Sequence, residues 1–153
     1  MASLRLSHIV TPHRYRSGMG RRWNPWRALR EREHLDLVVT RLPDGVRGIW
    51  SPGVIALDHR LGRRQRNATL AHELIHDERG IGQPTATPAM MEREEAIVRR
   101  ITAERLIPAD ELAELAQRGE VEPVHLWEVA DHFDVPEEVV LDLRVHDWPH
   151  GYR

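Results

Sequence analysis

The chain has 153 residues, about the length of one domain, and 41% of them are hydrophobic. The sequence contains no apolar run long enough to span a membrane, and its start lacks the charged-then-apolar pattern of a secretory signal. We therefore expect a soluble, cytoplasmic protein. Cysteine is absent, which excludes disulfides, thiolate metal ligands and a cysteine nucleophile, and leaves nitrogen and oxygen as donors for a chemical site. The formal net charge of −2 divides into +9 over residues 1–66 and −11 over residues 67–153, so the two halves are expected to attract each other.

Residues 1–22 show little periodicity, which predicts an arm or a loosely packed lead-in. The N-terminal half also carries most of the arginines. These side chains could bind nucleic acid or an acidic partner, although such runs are most often a solvated face or a mobile arm. Both interpretations stay open for the two clusters, which are Arg14, Arg16, Arg21 and Arg22, and Arg60, Arg63, Arg64 and Arg66.

Asn24 followed by Pro25 predicts the start of a short helix, because asparagine caps a helix and proline fits its first turn. Alternating apolar residues then predict a strand over residues 34–42. Further strands are predicted at 46–50 and 54–57, each after a turn that contains proline and glycine. We expect these three strands to form an antiparallel sheet, with the third strand as an edge along which an extended substrate could bind.

The H-E-x-x-H sequence at residues 72–76 places two imidazoles four residues apart with a carboxylate beside the first. On a helix, His72 and His76 lie on one face and can reach a single ion, while Glu73 points toward that ion from the flank. Apolar residues recur at helical spacing over residues 63–79, so we expect a half-buried helix that ends at a glycine. The alternative is a pair of solvated surface histidines.

Catalytic zinc takes three protein ligands and keeps one position for water, whose pKa falls towards ~7. Glu73 would accept a proton as this water attacks a peptide carbonyl and later deliver it to the leaving amine. A second helix is predicted from about residue 90 to Pro108, and its first turn holds Glu92, Glu94 and Glu95. Periodicity places Glu94 near the centre of the inward face and Glu95 toward its edge, so it leaves both open as the third ligand. In the alternative, all three are solvated acids favoured by the helix dipole.

The stretch 68–76, together with a Glu-rich helix that ends in Arg-Leu-Ile-Pro at 105–108, resembles the ImmA/IrrE family of metallo-endopeptidases. The resemblance implies that Zn²⁺ is the cofactor and that the glutamate thirteen residues before the closing proline is the third ligand. That residue is Glu95, with Glu94 in reserve. The family often has Asp or Asn four residues later to orient a ligand histidine, whereas this chain has Arg99, which cannot accept a hydrogen bond from an imidazole N–H.

Two further helical regions are predicted, over residues 109–116 and 125–140, and the second has the spacing of a helix-turn-helix. Residues 120–147 contain nine acids and one arginine, which would repel phosphate. We therefore interpret these helices as packing or partner-docking elements rather than as DNA-binding ones. No spacing singles out a residue that would stabilise an oxyanion, for which the candidates are His125, His132, His146, His150, Tyr15 and Tyr152.

Together these patterns predict an α+β fold: a small zincin-like domain, mostly helical, with a short three-stranded antiparallel sheet before the metal-binding helix. Residues 1–22 would form the lead-in and residues 23–108 the metallopeptidase core. Residues 109–153 would form C-terminal helices that pack on the core within the same domain.

The predicted function is that of a zinc-dependent endopeptidase, with His72, His76 and Glu95 as metal ligands and Glu73 as the catalytic residue. The resemblance implies a protein substrate, a regulator or repressor, and a role as a proteolytic switch in a phage or mobile element. One alternative is a metal-containing regulatory interaction module with little or no peptidase activity. Another is a nucleic-acid-binding regulator that uses the N-terminal arginines.

Overall fold

The structure, a computed structural model of the chain, describes residues 3–4, 22–80, 86–118 and 124–143. Its helices are α1 (Pro25–Arg30), α2 (Arg63–Arg79), α3 (Pro88–Leu106), α4 (Ala109–Arg118), α5 (Leu126–Phe133) and α6 (Glu137–Leu141). Its strands are β1 (Ser3–Leu4), β2 (Asp36–Thr40), β3 (Gly48–Ser51), β4 (Val54–Asp58) and β5 (Val124–His125). The expected α+β fold, mostly helical with a three-stranded sheet ahead of α2, is confirmed.

Local sequence signals set the ends of the first three helices. The Asn24 side chain accepts hydrogen bonds from the backbone N–H groups of the first turn of α1, which satisfies donors that have no partner inside the helix. Gly80 adopts a left-handed conformation with φ of 61°, which ends α2 where a glycine stop was predicted. The Thr87 side chain caps α3, and Pro88 occupies its first turn, so α3 begins two residues before the predicted start at Met90.

The three-stranded sheet is mixed, with the order β2-β4-β3. Strand β3 pairs antiparallel with β4, but β2 runs parallel to β4, so the prediction of a purely antiparallel sheet was wrong. The prediction that the third strand is an edge was also wrong, because β4 lies in the centre and β2 and β3 form the edges.

A polar anchor explains why β2 does not form a hairpin with β3. The Asp58 carboxylate accepts a hydrogen bond from the Leu42 backbone N–H at 2.9 Å, and Arg60 donates to the Leu42 carbonyl at 2.9 Å. The backbone N–H of His59 also donates to the Thr40 carbonyl at 2.9 Å. These bonds hold the end of β2 beside the end of β4, which is the arrangement of a parallel pair.

Helix α2 lies between two hydrophobic clusters. Its Leu70 and Leu74 are fully buried against Ile55 and Leu57 of β4, on the side of the sheet. Its Ala68 belongs to the second cluster, which is built by residues of α3, α4, α5 and α6. Two packed sides fix the rotation of α2 about its axis, so the side chains of its third face have defined positions.

The described arginines of the two predicted clusters are engaged within the chain. Arg63 and Arg64 form ion pairs with Asp134, at the end of α5, and Arg60 pairs with Asp58. Arg22 pairs with Glu111 of α4, while Arg14, Arg16 and Arg21 lie outside the described residues. Most of these pairs join the basic N-terminal part of the chain to the acidic C-terminal part. They therefore favour a structural role for these arginines over a nucleic-acid patch.

The first described residues of the chain form a short strand that pairs with a second short strand. Strand β1 pairs antiparallel with β5, with Ser3 opposite His125 and Leu4 opposite Val124. The rest of the predicted lead-in up to residue 21 and the segment after residue 143 lie outside the described residues. Of the helices described, none has the combined length and apolar character that a membrane crossing requires.

Candidate metal centre

The two motif histidines lie one turn apart on the third face of α2. The Nε2 atoms of His72 and His76 are 3.2 Å apart, and their rings meet edge to face with centroids 4.8 Å apart. Both side chains are only partly exposed, at 23% for His72 and 14% for His76. The same ring nitrogen of each residue therefore points into one small volume.

Glu95 of α3 completes a group of three side chains. Its Oε2 lies 3.1 Å from Nε2 of His72, and its Oε1 lies 2.9 Å from Nε2 of His76. Helix α3 packs directly on α2, which brings this carboxylate to the histidine face. Among the described residues, these three form the group of potential metal ligands, and their donor atoms all lie within 4.8 Å of one another.

The donor set and its spacing fit a zinc ion. A tetrahedral zinc with bonds of about 2.0–2.1 Å holds its ligand atoms about 3.3 Å apart, close to the separations seen here. Two imidazole nitrogens and a carboxylate are ligand types that zinc takes in catalytic sites. The geometry can thus accept the ion with only small side-chain adjustments.

Glu94 points away from this group. Its carboxylate forms an ion pair with Arg79, whose Nη2 donates to Oε2 at 3.0 Å. This hydrogen bond and the arginine charge lower the pKa of Glu94, against the effect of partial burial. Periodicity left both glutamates open as the third ligand. The structure places Glu95, which the family resemblance favours, beside the histidines, and it places Glu94 in a separate ion pair.

The electrostatics of the group favour a bound cation. Hydrogen bonds from His72 and then His76 lower the pKa of Glu95 well below its usual range, so its carboxylate is anionic at neutral pH. Burial works to lower the pKa of His76, but the hydrogen bond and charge of Glu95 outweigh it and raise that pKa. The anionic carboxylate of Glu95 therefore stabilises positive charge where the imidazole nitrogens converge, whether a proton or a divalent ion carries that charge.

Glu73 lies beside the group but is buried, with 6% of its surface exposed. Burial raises the pKa of its carboxyl, and the nearby His72 and His76 oppose this shift. The backbone of Trp50 in β3 also works to lower this pKa. Glu73 thus lies between the histidine face of α2 and the edge strand of the sheet, where a carboxyl could exchange a proton with a reacting group.

Gly48 is a residue of the site that the sequence analysis missed. A Cβ placed on Gly48 would lie 2.6 Å from Cγ2 of Thr69 and 2.8 Å from Oε1 of Glu73, closer than real Cβ contacts. Only glycine therefore lets β3 approach the Glu73 carboxylate this closely. A glycine inside a predicted strand is the signal that could have pointed to such an approach.

A cleft of about 670 Å³ opens beside the group. The residues that line it include His72, Glu73 and Glu95, residues of α6, and Gly48 of β3 with the three residues before it. The C-terminal helices, predicted only as packing or docking elements, thus contribute to the site, which no motif in the sequence indicated.

Arg99 occupies the place where the family often has Asp or Asn. Its Nε lies 3.7 Å from Oδ1 of Asp142, the residue that ends α6, and both residues line the cleft. Burial raises the pKa of the Asp142 carboxyl, opposed by the charges of Arg99 and His72. A carboxylate from α6 is therefore present near His72 although the α3 position carries an arginine.

Of the candidates for oxyanion stabilisation, the two that the structure describes do not line the cleft. His125 serves as the N-cap of α5, and His132 lies 3.4 Å from Arg22 on the outer side of α5. Neither is among the residues that line the cleft. His146, His150, Tyr15 and Tyr152 lie outside the described residues.

Comparison with known proteins agrees with this site. Residues 32–142 match the profile of the Peptidase M78 family, described as the IrrE N-terminal-like domain. A solved structure with a similar fold is a Mycobacterium tuberculosis transcriptional regulator, with 19% sequence identity and a TM-score of 0.57. The match covers 77% of this chain and 39% of that one, so the matched part spans well under half the length of that protein. Among curated proteins, none matches this chain.

Proposed function

Because this chain belongs to the Peptidase M78 family of IrrE N-terminal-like domains, we propose that it is a zinc-dependent endopeptidase. In this proposal His72, His76 and Glu95 hold the metal and Glu73 is the catalytic general acid and base. Residues 23–108 form the peptidase core, and residues 109–153 complete it within one domain. Residues 1–22 lead into the core.

One observation carries the proposal. The nitrogens of His72 and His76 and the carboxylate of Glu95 come together from two helices at separations close to those of a tetrahedral zinc site. The Glu73 carboxyl stands beside this point, buried and with a raised pKa. The two histidine side chains are only 23% and 14% exposed, which argues against a pair of solvated surface histidines.

A zinc ion bound there would make water a stronger nucleophile and polarise the carbonyl of a peptide bond. Glu73 would accept the proton released as the water attacks, and its raised pKa helps it to hold that proton. It would then give the proton to the leaving amine.

The substrate would lie as an extended segment along β3. Strand β3 is an edge of the sheet, and its Gly48 and the preceding Arg47 line the cleft. Main-chain hydrogen bonds to an edge strand hold a peptide whatever its side chains are. This assignment replaces the earlier expectation that β4 would be the substrate edge.

A regulator or repressor protein is the proposed substrate, and a phage or mobile-element switch in the cytoplasm is the proposed setting. Both rest on what the ImmA/IrrE resemblance implies. The similar solved structure is itself titled a transcriptional regulator, which fits a regulatory context for this fold.

The proposal is tested by metal analysis and cleavage. Zinc-loaded protein is incubated with purified regulators encoded beside it, and fragments are identified by mass spectrometry. We expect one zinc per chain and cleavage at a defined bond. Glu73→Gln should keep the zinc and the fold while it lowers the cleavage rate at least ~10²-fold, because a general base is lost. Equal rates for Glu73→Gln and the natural chain would contradict the catalytic role of Glu73.

The alternative function is a regulatory module that keeps a metal for stability. Structural zinc sites are usually filled by four protein ligands. Among the described residues the ligand group contains three, which favours the open site of an enzyme. Zinc that stabilises the chain without cleavage of any partner regulator would favour the module.

A further inference from the structure

One ring nitrogen of His72 has no hydrogen-bond partner within the part of the chain that the structure describes. Its Nε2 lies 3.2 Å from Nε2 of His76 and 3.1 Å from Oε2 of Glu95, so this nitrogen points to the proposed ion. None of the hydrogen bonds among the described residues reaches the other nitrogen, Nδ1. A histidine that binds a metal almost always donates its second N–H to a carboxylate, a carbonyl or a water, which fixes the ring and its tautomer. His72 therefore needs an acceptor for its Nδ1–H.

The fold brings the carboxylate of Asp142 to the same cleft as His72. Asp142 ends α6, and its backbone N–H donates to the carbonyls of Glu138 at 3.1 Å and Val139 at 3.2 Å. Val139 and Val140 are 7% and 1% exposed and belong to the helical core cluster. The backbone of Asp142 is therefore fixed by the packing of α6 on the core.

Arg99 of α3 joins Asp142 to the metal group. It follows Glu95 by four residues, so the two side chains lie on one face of α3, about 6 Å apart along the helix. The Nε of Arg99 lies 3.7 Å from Oδ1 of Asp142, and both residues line the cleft together with His72 and Glu95. One turn of α3 thus connects the carboxylate that contacts His72 to the arginine that holds Asp142.

The charge of His72 also acts on Asp142. Burial raises the pKa of the Asp142 carboxyl, and the charges of Arg99 and His72 oppose that effect. Among the described residues no direct hydrogen bond joins the His72 and Asp142 side chains, and the cleft that both line has room for water. A water that bridges two polar groups is nearly as favourable as a direct hydrogen bond. The arrangement therefore fits a contact made through one water.

From this arrangement we propose that Asp142 is a positioning residue, which accepts the Nδ1–H of His72 through one water and so directs Nε2 of His72 to the metal. The inference rests on the proposed zinc peptidase function and adds a residue of α6 to the metal site. In this role Arg99 keeps the Asp142 carboxylate at the cleft. The C-terminal helices then support the metal ligands as well as lining the cleft.

Two variants that remove the same charge test this role. Asp142→Asn keeps an oxygen that accepts a hydrogen bond, whereas Asp142→Leu has a side chain of similar size without an acceptor. The zinc affinity of the full chain is measured by competition with a chromophoric chelator. We expect Asp142→Leu to bind zinc at least about tenfold more weakly than the natural chain, as for loss of such an acceptor. Asp142→Asn should bind zinc at least about fivefold more tightly than Asp142→Leu.

Glu138→Leu is the matched control on the same helix. Glu138 also lines the cleft, but it is paired with Arg47 and accepts a hydrogen bond from Gln65 at 3.0 Å. Its loss removes a carboxylate from α6 and should leave the zinc affinity close to that of the natural chain. Urea unfolding of each metal-free variant verifies the fold, and Asp142→Ala takes the place of Asp142→Leu if the latter does not fold.

Cobalt(II) in place of zinc gives a second readout that a purely structural role would not change. Its visible absorption bands depend on the orientation of the ligands around the ion. The bands should have the same positions in the natural chain, Asp142→Asn and Glu138→Leu. They should be shifted in Asp142→Leu, because the ring of His72 is no longer held.

The outcomes separate this inference from the function on which it rests. Natural zinc affinity in Asp142→Leu, equal losses in Asp142→Asn and Asp142→Leu, or an equal loss in Glu138→Leu would overturn the role of Asp142 alone. Because neither measurement needs cleavage, an inactive chain with the expected affinities would support that role while the proposed peptidase function failed. Failure of the natural chain to bind zinc would overturn both.

Discussion

Gly48 of β3 and Glu73 of α2 stand so close that a Cβ at position 48 would force a neighbouring side chain to move. A Cβ there would meet Oε1 of Glu73 at 2.8 Å and Cγ of Glu73 at 3.0 Å. Because residue 48 has no side chain, the edge strand can pack directly against the proposed catalytic carboxylate.

Gly48→Ala should displace Glu73 and lower the cleavage rate by at least about tenfold, because small misplacements of a catalytic group are costly. The zinc content should not change, since the atoms nearest to the added Cβ belong to Thr69 and Glu73 and not to the proposed ligands. Cleavage and bound zinc are measured on the same preparation. Gly62→Ala is the control, as a Cβ at Gly62 meets no atom within 4 Å. An active Gly48→Ala enzyme with natural kinetics would show that this close approach is not needed.

Glu95→Ala should release zinc, whereas Glu94→Ala should retain it. Glu95 lies within 3.1 Å of both motif histidines, and Glu94 is paired with Arg79 instead. Metal content after dialysis, measured by mass spectrometry, separates the two variants. Zinc retained in Glu95→Ala and lost in Glu94→Ala would reverse the choice of third ligand.

Zinc should raise the free energy of unfolding of the natural chain. A ligand that binds only the folded state at 100 times its dissociation constant contributes about 2.7 kcal/mol. Urea unfolding with and without zinc measures this difference, and EDTA should remove it. His76→Ala, which lacks one donor, should show little of the effect. A zinc-dependent gain of equal size in His76→Ala would place the ion elsewhere on the chain.

Asp58 should contribute to stability at neutral pH and lose that contribution in acid. Hydrogen bonds from Arg60 hold the pKa of this carboxyl below its ordinary value of 3.8, against the opposing effect of burial. A carboxylate with a lowered folded-state pKa stabilises the fold above the unfolded-state value, and this is lost as the pH falls below about 4.

The measurement compares Asp58→Asn with the natural chain by urea unfolding at pH 7, 5, 3 and 2. The natural chain should be more stable at pH 7 and 5, and the difference should shrink at pH 3 and 2. Asp36→Asn, at an exposed position of β2, should show no such trend. A difference that stays constant with pH would exclude the proposed role of the Asp58 charge.

Local sequence signals were enough to predict the helices. The predicted span of α2, residues 63–79, and its stop at Gly80 agree with the structure, because helical periodicity and a left-handed glycine are local properties. The three strands were also placed to within a few residues. Their order was not, since it depends on how Asp58 and Arg60 anchor Leu42, and no periodicity reports such a contact.

The site residues also divide into those that local sequence indicates and those that only tertiary structure brings together. His72, Glu73 and His76 could be predicted as a group because the H-E-x-x-H spacing places them within about one helical turn. Glu94 and Glu95 are neighbours, and only the packing of α3 on α2 decides which of them meets the histidines. Arg99 indicated a missing orienting group, but Asp142 approaches from a helix 43 positions later, and that proximity arises from tertiary structure.

Because β3 is an edge strand of the sheet, its position limits when a target protein could be cut. An edge strand can accept one extended polypeptide, whereas the packed interior of a folded domain presents no such stretch. Under the proposed function, a bond within the folded part of a target regulator can be cut only after that part opens locally. The rate of proteolysis would then report how often the target opens, so a signal that loosens the target would start the switch without any change in the enzyme.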